Sequence, residues 1–377
     1  MLLMNEFTQD LRVQKEGISL INDQQEVVII ALKDKYTKRN ENRNGISVYR
    51  MSISTRWLPK NYFFWFIKYI EFMIRSIIAG VRVSSQAVHA HDLNTLFIGW
   101  VVKKIRRIPL VYDSHELYID RITNPLAFRL WKTIESFAIK QVDRAYAENV
   151  SRAQVLEQRY NVTGILPLRN CQHLNLTPKN DYLRKKLNIK LNQKIILYQG
   201  LVTRLRGVDK LIEMMRFLPR ESYCLVIIGP GKFVDQAKVI IKQDKLHNIH
   251  VIGNVALEEL PRYTASADLG ISLIQNVNKN HYYALSNKIF EYLSAGLPIV
   301  FSNFPEMKRV IEEEQVGYVV DETNPEQAAT AVRKILEDTT LYEQMVNRAY
   351  GCVKEKYNWD NEVQDLMYYY RRVDNNE

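Results

Sequence analysis

The segment 286–300 constrains the fold of this chain most, because it holds the start and stop signals of a short helix followed by an apolar strand. Ser286 or Asn287 can cap the helix at its N-terminus. Gly296 suits the left-handed residue that ends a helix, and Pro298 prevents the helix from continuing. A short helix that leads into a buried strand is typical of an α/β fold with a parallel sheet. In such folds the helix N-terminus can bind a diphosphate.

Glu291 falls in or near the first turn of this predicted helix and allows two interpretations. Its carboxylate can accept hydrogen bonds from the hydroxyl groups of a ligand. It can also complement the positive end of the helix dipole, an effect of about 0.3 to 1 kcal/mol. The spacing of the residues leaves both interpretations open.

The segment resembles the donor-site helix of the retaining family 4 glycosyltransferases, which have the GT-B fold of two Rossmann-like domains facing across a cleft. The shared pattern, Asn-Lys-x-Phe-Glu-Tyr-x-Ser-Ala-Gly-x-Pro-x-Val, begins at Asn287. In that family the Glu at the position of Glu291 holds the ribose of the nucleotide sugar, and many members carry another Glu eight residues earlier. Here that earlier position is Tyr283. The resemblance implies that Ser286, Asn287, Lys288 and Glu291 bind the donor, and it leaves open whether Tyr283 replaces the earlier Glu.

A second predicted strand, 194–200, runs into a loop that contains Arg204 and Arg206. Arginine side chains can bind phosphate oxygens in pairs, and Gly200 and Gly229 at strand ends let a ligand approach the backbone. The loop resembles the donor-diphosphate loop of the family, with Arg206 at the place of the commoner Lys. The resemblance implies that these basic groups neutralise the leaving diphosphate, so neither a metal nor another cofactor is expected.

Two short strands of the first half end in polar residues, one in His91-Asp92 and the other in His115-Glu116. Ligands of open α/β sheets bind beyond the carboxyl ends of the strands, so these residues are candidates for an active site. A single histidine at such a place is more often a core residue with satisfied hydrogen bonds, whereas two such strand endings together favour a site. The strands resemble those that face the acceptor in the family, where His91 aligns with a histidine that contacts the sugar. His91, Asp92 and Glu116 are the catalytic candidates, and His115 is assigned to the acceptor side.

The pattern Phe-Thr-x-Asp-x-Arg-Val-x-Lys-Glu, which begins at Phe7, is similar to the opening of many family members. There the loop after the first strand borders the acceptor. Arg12 and Lys15 are therefore expected to face an acceptor diphosphate. A solvated helix face would show the same residues.

Positive charge is concentrated in the first half of the chain. Residues 1–172 contain 25 Lys and Arg against 16 Asp and Glu, which accounts for +9 of the net charge of +10. Within residues 57–107, Lys60, Lys68 and Arg75 interrupt an aromatic-rich segment. An amphipathic helix formed by this segment can lie in the interface of an anionic membrane, or it can pack on the sheet as a core helix. A membrane surface is thus a candidate partner of residues 57–107.

The length of 377 residues predicts two domains. The resemblance implies an acceptor-binding domain at 1–172, completed by a C-terminal helix at 357–377, and a nucleotide-sugar domain at 173–356. The three cysteines have no metal-ligand spacing, the start of the chain lacks a signal-peptide pattern, and no run of eighteen apolar residues occurs. We expect a cytoplasmic protein, with peripheral contact to the inner face of the membrane as an open alternative.

Taken together, these features predict a retaining glycosyltransferase that moves a hexose or N-acetylhexosamine unit from a nucleotide sugar to a glycan or lipid-linked acceptor in bacterial envelope polysaccharide synthesis. A sugar-nucleotide epimerase on the same fold is one alternative, since fold does not determine reaction. A non-catalytic binder of an anionic ligand, such as a nucleic acid, is another. The acidic residues at the strand ends argue against a groove for nucleic acid, so no nucleic-acid partner is expected.

Overall fold

The computed structural model describes residues 1–59 and 61–375, which form two compact units. The first unit comprises Met1–Asn170 and Val363–Glu377, and the second comprises Cys171–Glu362. The sequence analysis placed the divisions after residue 172 and before residue 357. The observed divisions lie close to both places, and each unit is described below by itself.

Two groups of strands form the sheet of the first unit. The strands β1 to β7 are Val28–Leu32, Asn40–Arg43, Ile46–Met51, Val88–His91, Leu110–Ser114, Arg144–Ala147 and Ile165–Pro167. One group has the order β1-β3-β2 and the other β4-β5-β6-β7, and every pair except β2 with β3 is parallel. Leu2 forms parallel bridges to Ile30 and to Ala90, and so joins β1 to β4. The first residues of the chain therefore complete the sheet.

The antiparallel strands β2 and β3 meet in a tight turn at Asn44 and Gly45. Their φ angles are 52° and 86°. Two consecutive positive φ angles are typical of a type I′ turn, for which Asn-Gly is a preferred pair. The sequence analysis made no prediction for this hairpin, although the Asn-Gly pair is a strong local signal for one.

Helices pack on the strands of the first unit. Helices α1 to α5 are Leu11–Asn22, Tyr62–Arg82, Leu93–Arg106, Pro125–Ala138 and Val150–Tyr160. The sequence placed a helix at 136–143, but α4 begins already at Pro125, with the Asn124 side chain as its cap. Proline is favoured at the first helical position because its missing N–H would have no partner there. The side chain of Asn149 caps α5.

Helix α2 buries one face and exposes the other. Tyr69 and Phe72 are 4% and 1% exposed, whereas Phe66 and Ile74 are 44% and 50% exposed. One side of the helix thus packs in the core, as one interpretation of the sequence predicted. The other side keeps large apolar side chains at the surface. Lys60, which was counted with its basic residues, lies outside the described residues. Among residues 1–59 and 61–375, no helix has both the length and the apolar character needed to cross a membrane.

The second unit contains a fully parallel sheet. The strands β8 to β13 are Lys194–Gln199, Tyr223–Ile228, Ile249–Ile252, Leu269–Ser272, Ile299–Ser302 and Gly317–Val320. Their order is β10-β9-β8-β11-β12-β13. The strand order therefore reverses between β8 and β11, which is the place where parallel α/β sheets bind ligands, beyond the carboxyl ends of the strands.

Short helices surround this second sheet. Helices α6 to α15 are Tyr182–Leu187, Val208–Met214, Val234–Gln243, Leu260–Thr264, Lys279–Tyr282, Asn287–Ser294, Pro305–Glu314, Pro325–Glu337, Thr339–Glu355 and Trp359–Glu362. The prolines and apolar spacing of the sequence predict helices at 305–314 and 325–337, and α12 and α13 confirm both. The segment 276–286 contains the short helix α10, which is capped by Asn278.

Single-turn 3-10 helices occur in both units, at Ser54–Trp57, Tyr118–Arg121, Ile139–Gln141, Arg204–Arg206 and Met215–Phe217.

The last helix, α16 (Gln364–Asp374), belongs to the first unit. The Tyr146 hydroxyl donates a hydrogen bond of 2.7 Å to the Asp365 carboxylate, which also forms an ion pair with Arg144. The Tyr370 hydroxyl lies 3.1 Å from Nδ1 of His89 in β4. A single C-terminal helix was predicted at 357–377, whereas the structure has two helices there, α15 and α16.

Gly270 of β11 provides a test of how α11 is held on the sheet. A Cβ atom at residue 270 would lie 2.3 Å from the ring of Tyr292 in α11. Gly270→Ala should therefore overpack this contact and lower the free energy of unfolding by about 1–3 kcal/mol. Gly351→Ala in α14 is the control, because a Cβ there meets nothing within 4 Å. The control should be stabilising by roughly 0.5–1 kcal/mol. Urea unfolding measures both variants, and an unchanged midpoint for Gly270→Ala would contradict this packing.

Candidate functional site

The N-terminus of α11 lies at the centre of the candidate site in the second unit. The helix begins at Asn287, and Ser286 occupies the N-cap position without a capping hydrogen bond from its side chain. Backbone N–H groups at a helix start attract anions. Glu291 lies in the second turn, where the effect of the helix dipole has largely faded, so the dipole interpretation of Glu291 loses its basis.

The Lys288 side chain connects the helix start to the end of β8. A Cβ atom at Gly200, whose φ is 123°, would lie 2.8 Å from Cε of Lys288. The Nζ atom of Lys288 lies 5.1 Å from the centre of the Tyr198 ring. Burial and the charge of Arg206 lower the pKa of Lys288 to about 8, and the charge of Glu291 opposes this shift. Arg206 and Glu291 thus both lie close enough to Lys288 to act on its charge.

Glu291 is held by a buried residue that the sequence analysis missed. The Gln199 side-chain amide donates a hydrogen bond to the Glu291 carboxylate, and its oxygen accepts one of 2.8 Å from the Thr264 hydroxyl. The Gln199 side chain is 1% exposed, and its backbone N–H donates to the Tyr292 hydroxyl at 3.1 Å. A single polar residue at the end of the apolar run of β8 was the signal for it in the sequence.

Glycines bring the loops at the ends of β8 and β9 into contact. A Cβ atom at Gly229, whose φ is 138°, would lie 2.0 Å from the backbone oxygen of Gly200. At Gly207 it would lie 1.8 Å from the backbone oxygen of Leu273. Glycine is therefore required at 207 and 229 because an added Cβ would collide with backbone atoms of a neighbouring loop. At Gly200 the added atom would instead meet the Lys288 side chain.

The two arginines of the predicted phosphate loop have different surroundings. Both lie in a 3-10 turn that ends at Gly207. Arg204 is exposed, and its guanidinium lies 5.2 Å from the centre of the Phe233 ring. Arg206 is partly buried and lies near Lys288. Arg206 therefore belongs to the group around Lys288, whereas Arg204 extends along the loop.

Tyr283 follows α10 and is partly buried. Its ring contacts the ring of Tyr282 edge to face, with 5.1 Å between the ring centres. Tyr283 occupies the position where many members of the resembling family carry a second Glu. A phenol has no carboxylate charge, so it can donate or accept a hydrogen bond at that place but cannot attract a cation in the same way.

The first unit contains a buried polar cluster at the carboxyl ends of β4 and β5, with Asp113 at its centre. Arg12 donates to both carboxylate oxygens of Asp113, at 2.8 and 2.6 Å, and to the backbone oxygen of Leu168 at 2.8 Å. Nε2 of His115 lies 2.9 Å from the Asp113 carboxylate and 3.2 Å from Nδ1 of His91. The Asp113 side chain is fully buried.

Charges within this cluster compensate one another. Burial alone would raise the pKa of Asp113, but Arg12 and His115 hold that pKa well below its usual value. Burial would lower the pKa of His115, but Asp92 and Asp113 outweigh it and raise the pKa to about 10. Burial lowers the pKa of His91 to about 4. At neutral pH the cluster therefore holds a charged His115 and a neutral His91.

Glu16 also belongs to this cluster, although it was not among the site residues predicted from the sequence. It is fully buried, and one of its carboxyl oxygens lies 3.2 Å from Arg12. Burial and the neighbouring Asp113 raise the pKa of Glu16 well above its usual value. Its spacing of four residues from Arg12 was the available signal, because residues four apart share one face of a helix.

The predicted acceptor-side residues differ in what they present to a ligand. Arg12 is buried and bound to Asp113, so the expectation that it faces an acceptor diphosphate was wrong. Lys15, on the same helix, is partly buried. His91 is 1% exposed, and its Nε2 atom has no hydrogen-bond partner among the described residues. His91 therefore lies behind the surface instead of forming it.

Asp92, His115 and Glu116 form the accessible part of this site. Their side chains are 30%, 17% and 39% exposed. Asp92 has a φ of 63°, which is strained for a residue other than glycine, and it accepts a 3.1 Å hydrogen bond from the backbone N–H of His115. Glu116 forms an ion pair with Arg121. A ligand at this edge of the sheet would meet carboxylates together with one charged imidazole.

Four side chains of the cluster have the spacing of a metal site. Ligand atoms of Glu16, His91, Asp113 and His115 lie within 4.8 Å of one another. Arg12, however, donates to both oxygens of Asp113, so the central carboxylate of the four already has a cationic partner. A metal ligand must be deprotonated and free to bind, so the arrangement fits an ion-pair network better than a metal centre.

Comparison with known proteins identifies the type of each domain. Residues 19–155 match the glycosyl transferase 4-like domain, and residues 179–351 match glycosyl transferases group 1. An uncharacterized glycosyltransferase of Methanocaldococcus jannaschii is 29% identical over 345 residues, which cover 88% of this chain and 86% of that protein. Alpha-D-kanosaminyltransferase of Streptomyces kanamyceticus is 24% identical and covers 76% of this chain and 77% of its own length.

The fold is shared with solved structures of low sequence identity. The Anabaena protein HepE in complex with UDP has a TM-score of 0.78 and 14% identity, and the match covers 98% of this chain and 99% of that one. Such a likeness shows the fold, which is GT-B, and the domain matches together with the relatives show the activity class. The chain is thus a two-domain glycosyltransferase of the GT-B fold that combines a glycosyl transferase 4-like domain with a glycosyl transferases group 1 domain.

Proposed function

We propose that this enzyme transfers a hexosyl or N-acetylhexosaminyl unit, with retention of configuration, from a nucleoside diphosphate sugar to a glycan or lipid-linked acceptor in bacterial envelope polysaccharide synthesis. The observation that carries the proposal is the grouping of Arg206, Lys288 and Glu291 at the start of α11 and the end of β8. The UDP bound to the Anabaena structure supports a nucleotide donor.

The donor groups are suited to a leaving diphosphate. In the transfer, the bond between the anomeric carbon and the diphosphate breaks, the acceptor oxygen bonds to that carbon, and the hydroxyl proton passes to a base such as the departing phosphate. Negative charge grows on the diphosphate as the bond breaks. Arg204, Arg206, Lys288 and the amides at Asn287 stabilise this growing charge more than the ground state, and the difference accelerates the step. No metal is needed in this scheme.

Glu291 has a separate role in the proposal. Its carboxylate accepts hydrogen bonds from the ribose of the donor, and Gln199 keeps it oriented. In the first unit, Asp92 and Glu116 bind hydroxyl groups of the acceptor, and His91 positions His115 from behind. We further propose that the reaction takes place in the cytoplasm, with the basic segment 57–107 at an anionic membrane surface, which its positive charge supports.

The first test is consumption of a donor by the purified enzyme. A panel of nucleotide sugars, incubated with and without a membrane extract as acceptor source, should show one donor that is consumed only when an acceptor is present. Acceptor-independent conversion of a donor would instead show an epimerase. Arg206→Ala and Glu291→Ala should each weaken calorimetric binding of that donor by roughly ten- to a hundredfold, since hydrogen bonds to charged groups are worth about 1.5–3 kcal/mol.

Arg348→Ala is the matched control for these variants, because Arg348 is an exposed arginine of the same unit on α14 whose guanidinium bonds the backbone oxygen of Gln315. Its donor affinity should equal that of the wild type. Wild-type affinity in both Arg206→Ala and Glu291→Ala would remove the donor-site assignment.

The lowered pKa of Lys288 predicts that donor binding takes up protons. In the free enzyme the pKa is about 8, and a bound diphosphate would raise it because the negative charge favours the ammonium form. Binding at pH 8 should therefore take up about half a proton, and affinity should fall as the pH rises above 8. Calorimetry of nucleoside diphosphate binding in buffers of different ionisation enthalpy measures this uptake. It should disappear in Lys288→Met, and an equal uptake in that variant would assign the proton to another group.

Removal of divalent cations tests the absence of a metal. EDTA should leave the transfer rate unchanged, because Arg204, Arg206 and Lys288 supply the positive charge. Loss of activity that is restored by one divalent cation would contradict the proposal. It would also direct attention to the cluster of Glu16, His91, Asp113 and His115.

A further inference from the structure

The first unit has an apolar groove between α2 and α4. Its volume is about 860 Å³, which lies within the range of about 300–1,000 Å³ typical of small-molecule sites. The walls carry large apolar side chains that remain at the surface, among them Phe66 of α2 and Leu126 and Leu130 of α4, which are 44%, 76% and 45% exposed. Exposed apolar groups that line one continuous concave surface mark a binding site more often than scattered ones do.

Aromatic rings form the floor of the groove. Trp131 is 4% exposed and contacts Tyr69 edge to face, with 5.0 Å between the ring centres. Trp65 stacks on Tyr69 at 5.6 Å, and Tyr118 contacts Trp131 at 5.7 Å. The four rings support one another, so the floor keeps its shape without a ligand.

The spacing along α4 explains why the groove is apolar. Leu126, Ala127, Leu130, Trp131 and Ile134 follow one another at helical intervals, and all of them line the groove. Residues at these intervals form one face of a helix. A helix usually buries such a face in the protein, but here much of it stays open.

Polar groups occur at one end of the groove. Arg121 and Tyr118 line it, and Arg121 forms an ion pair with Glu116 of the proposed acceptor site. Burial raises the pKa of the Tyr118 hydroxyl, and the negative charges of the nearby Asp92 and Glu116 raise it further. One lining residue of the groove, Arg121, therefore contacts the polar edge directly through Glu116.

The two ends of the groove thus suit different parts of one molecule. A hydrocarbon chain gains about 25 cal/mol for each Å² that it buries against such walls. A phosphate group can bind the guanidinium of Arg121, which lines this end of the groove, is 56% exposed and also pairs with Glu116. A soluble glycan would leave the apolar walls exposed.

We propose that the groove between α2 and α4 binds the hydrocarbon tail of a lipid-linked acceptor, with the phosphate of that lipid at the Arg121 end. The inference rests on the proposed function, because it names the class of acceptor for the same transfer. It places the tail along Trp65, Leu130 and Trp131 and directs the sugar end of the lipid towards Asp92 and Glu116.

Binding of farnesyl phosphate, a short isoprenoid phosphate, tests the proposal in the full-length enzyme. The lipid is used below its micelle-forming concentration, and binding is followed by calorimetry and by the fluorescence of the groove tryptophans. We expect saturable binding that is at least about tenfold tighter than that of farnesol, which lacks the charge, or of inorganic phosphate, which lacks the tail. Leu130→Asp, which places a charge on the rim, should weaken binding of farnesyl phosphate by about tenfold or more.

Ile105→Asp is the matched control, because Ile105 is an exposed apolar residue of the same unit that does not line the groove. It should bind farnesyl phosphate like the wild type. Nucleoside diphosphate affinity is measured on every variant, because it reports on the second unit. Absence of nucleotide binding in the wild type would refute the proposed function, whereas normal nucleotide binding without farnesyl phosphate binding would refute the groove proposal alone.

Three further outcomes would overturn the groove proposal. Equal binding by wild type and Leu130→Asp would place the lipid elsewhere. Binding to phosphatidylglycerol vesicles without binding of monomeric farnesyl phosphate would show a membrane-contact surface. A dimer that Leu130→Asp dissociates would show that a second copy of the chain covers the groove.

Discussion

Parallel strand pairing is the constraint on which both candidate sites depend. In a parallel sheet every strand ends at the same edge, so the residues that follow the strands come together whatever their separation in the chain. In the first unit this edge brings together His91, Asp113 and His115 from the ends of two strands. In the second unit it brings Gln199, at the end of β8, to Glu291 of α11. The chemistry of each unit is assembled by this one geometric rule.

The two units treat buried charge in different ways. In the first unit Arg12, Asp113 and His115 neutralise one another, which offsets a desolvation cost of several kcal/mol for each buried ion. A substitution in that cluster therefore acts on folding as well as on any reaction. In the second unit Lys288 lies beside a second cation, Arg206, and its pKa is lowered. An anionic ligand would relieve this repulsion, so the second unit keeps electrostatic energy available for binding.

The uneven distribution of charge along the chain agrees with this difference between the two units. The proposed donor site of the second unit needs only a few cations near one helix start. The first unit carries most of the positive charge and also the apolar groove between α2 and α4. Positive charge together with exposed apolar surface suits an amphiphile with an anionic head, which neither property would bind well alone. The groove is formed by α2 and α4, which are distant in sequence. Only part of α4 was predicted, so the groove itself was not.

The sequence by itself determined the fold class and most strands and helices of the second unit, because caps, prolines and apolar runs act over a few residues. It also determined the grouping of Lys288 and Glu291, which one helix carries. Only the tertiary structure decided that Arg12 binds Asp113, 101 positions away, and that Gln199 holds Glu291. An arginine bound to a buried carboxylate and one that faces a ligand look alike in a sequence, because the difference lies in which long-range partner satisfies the charge.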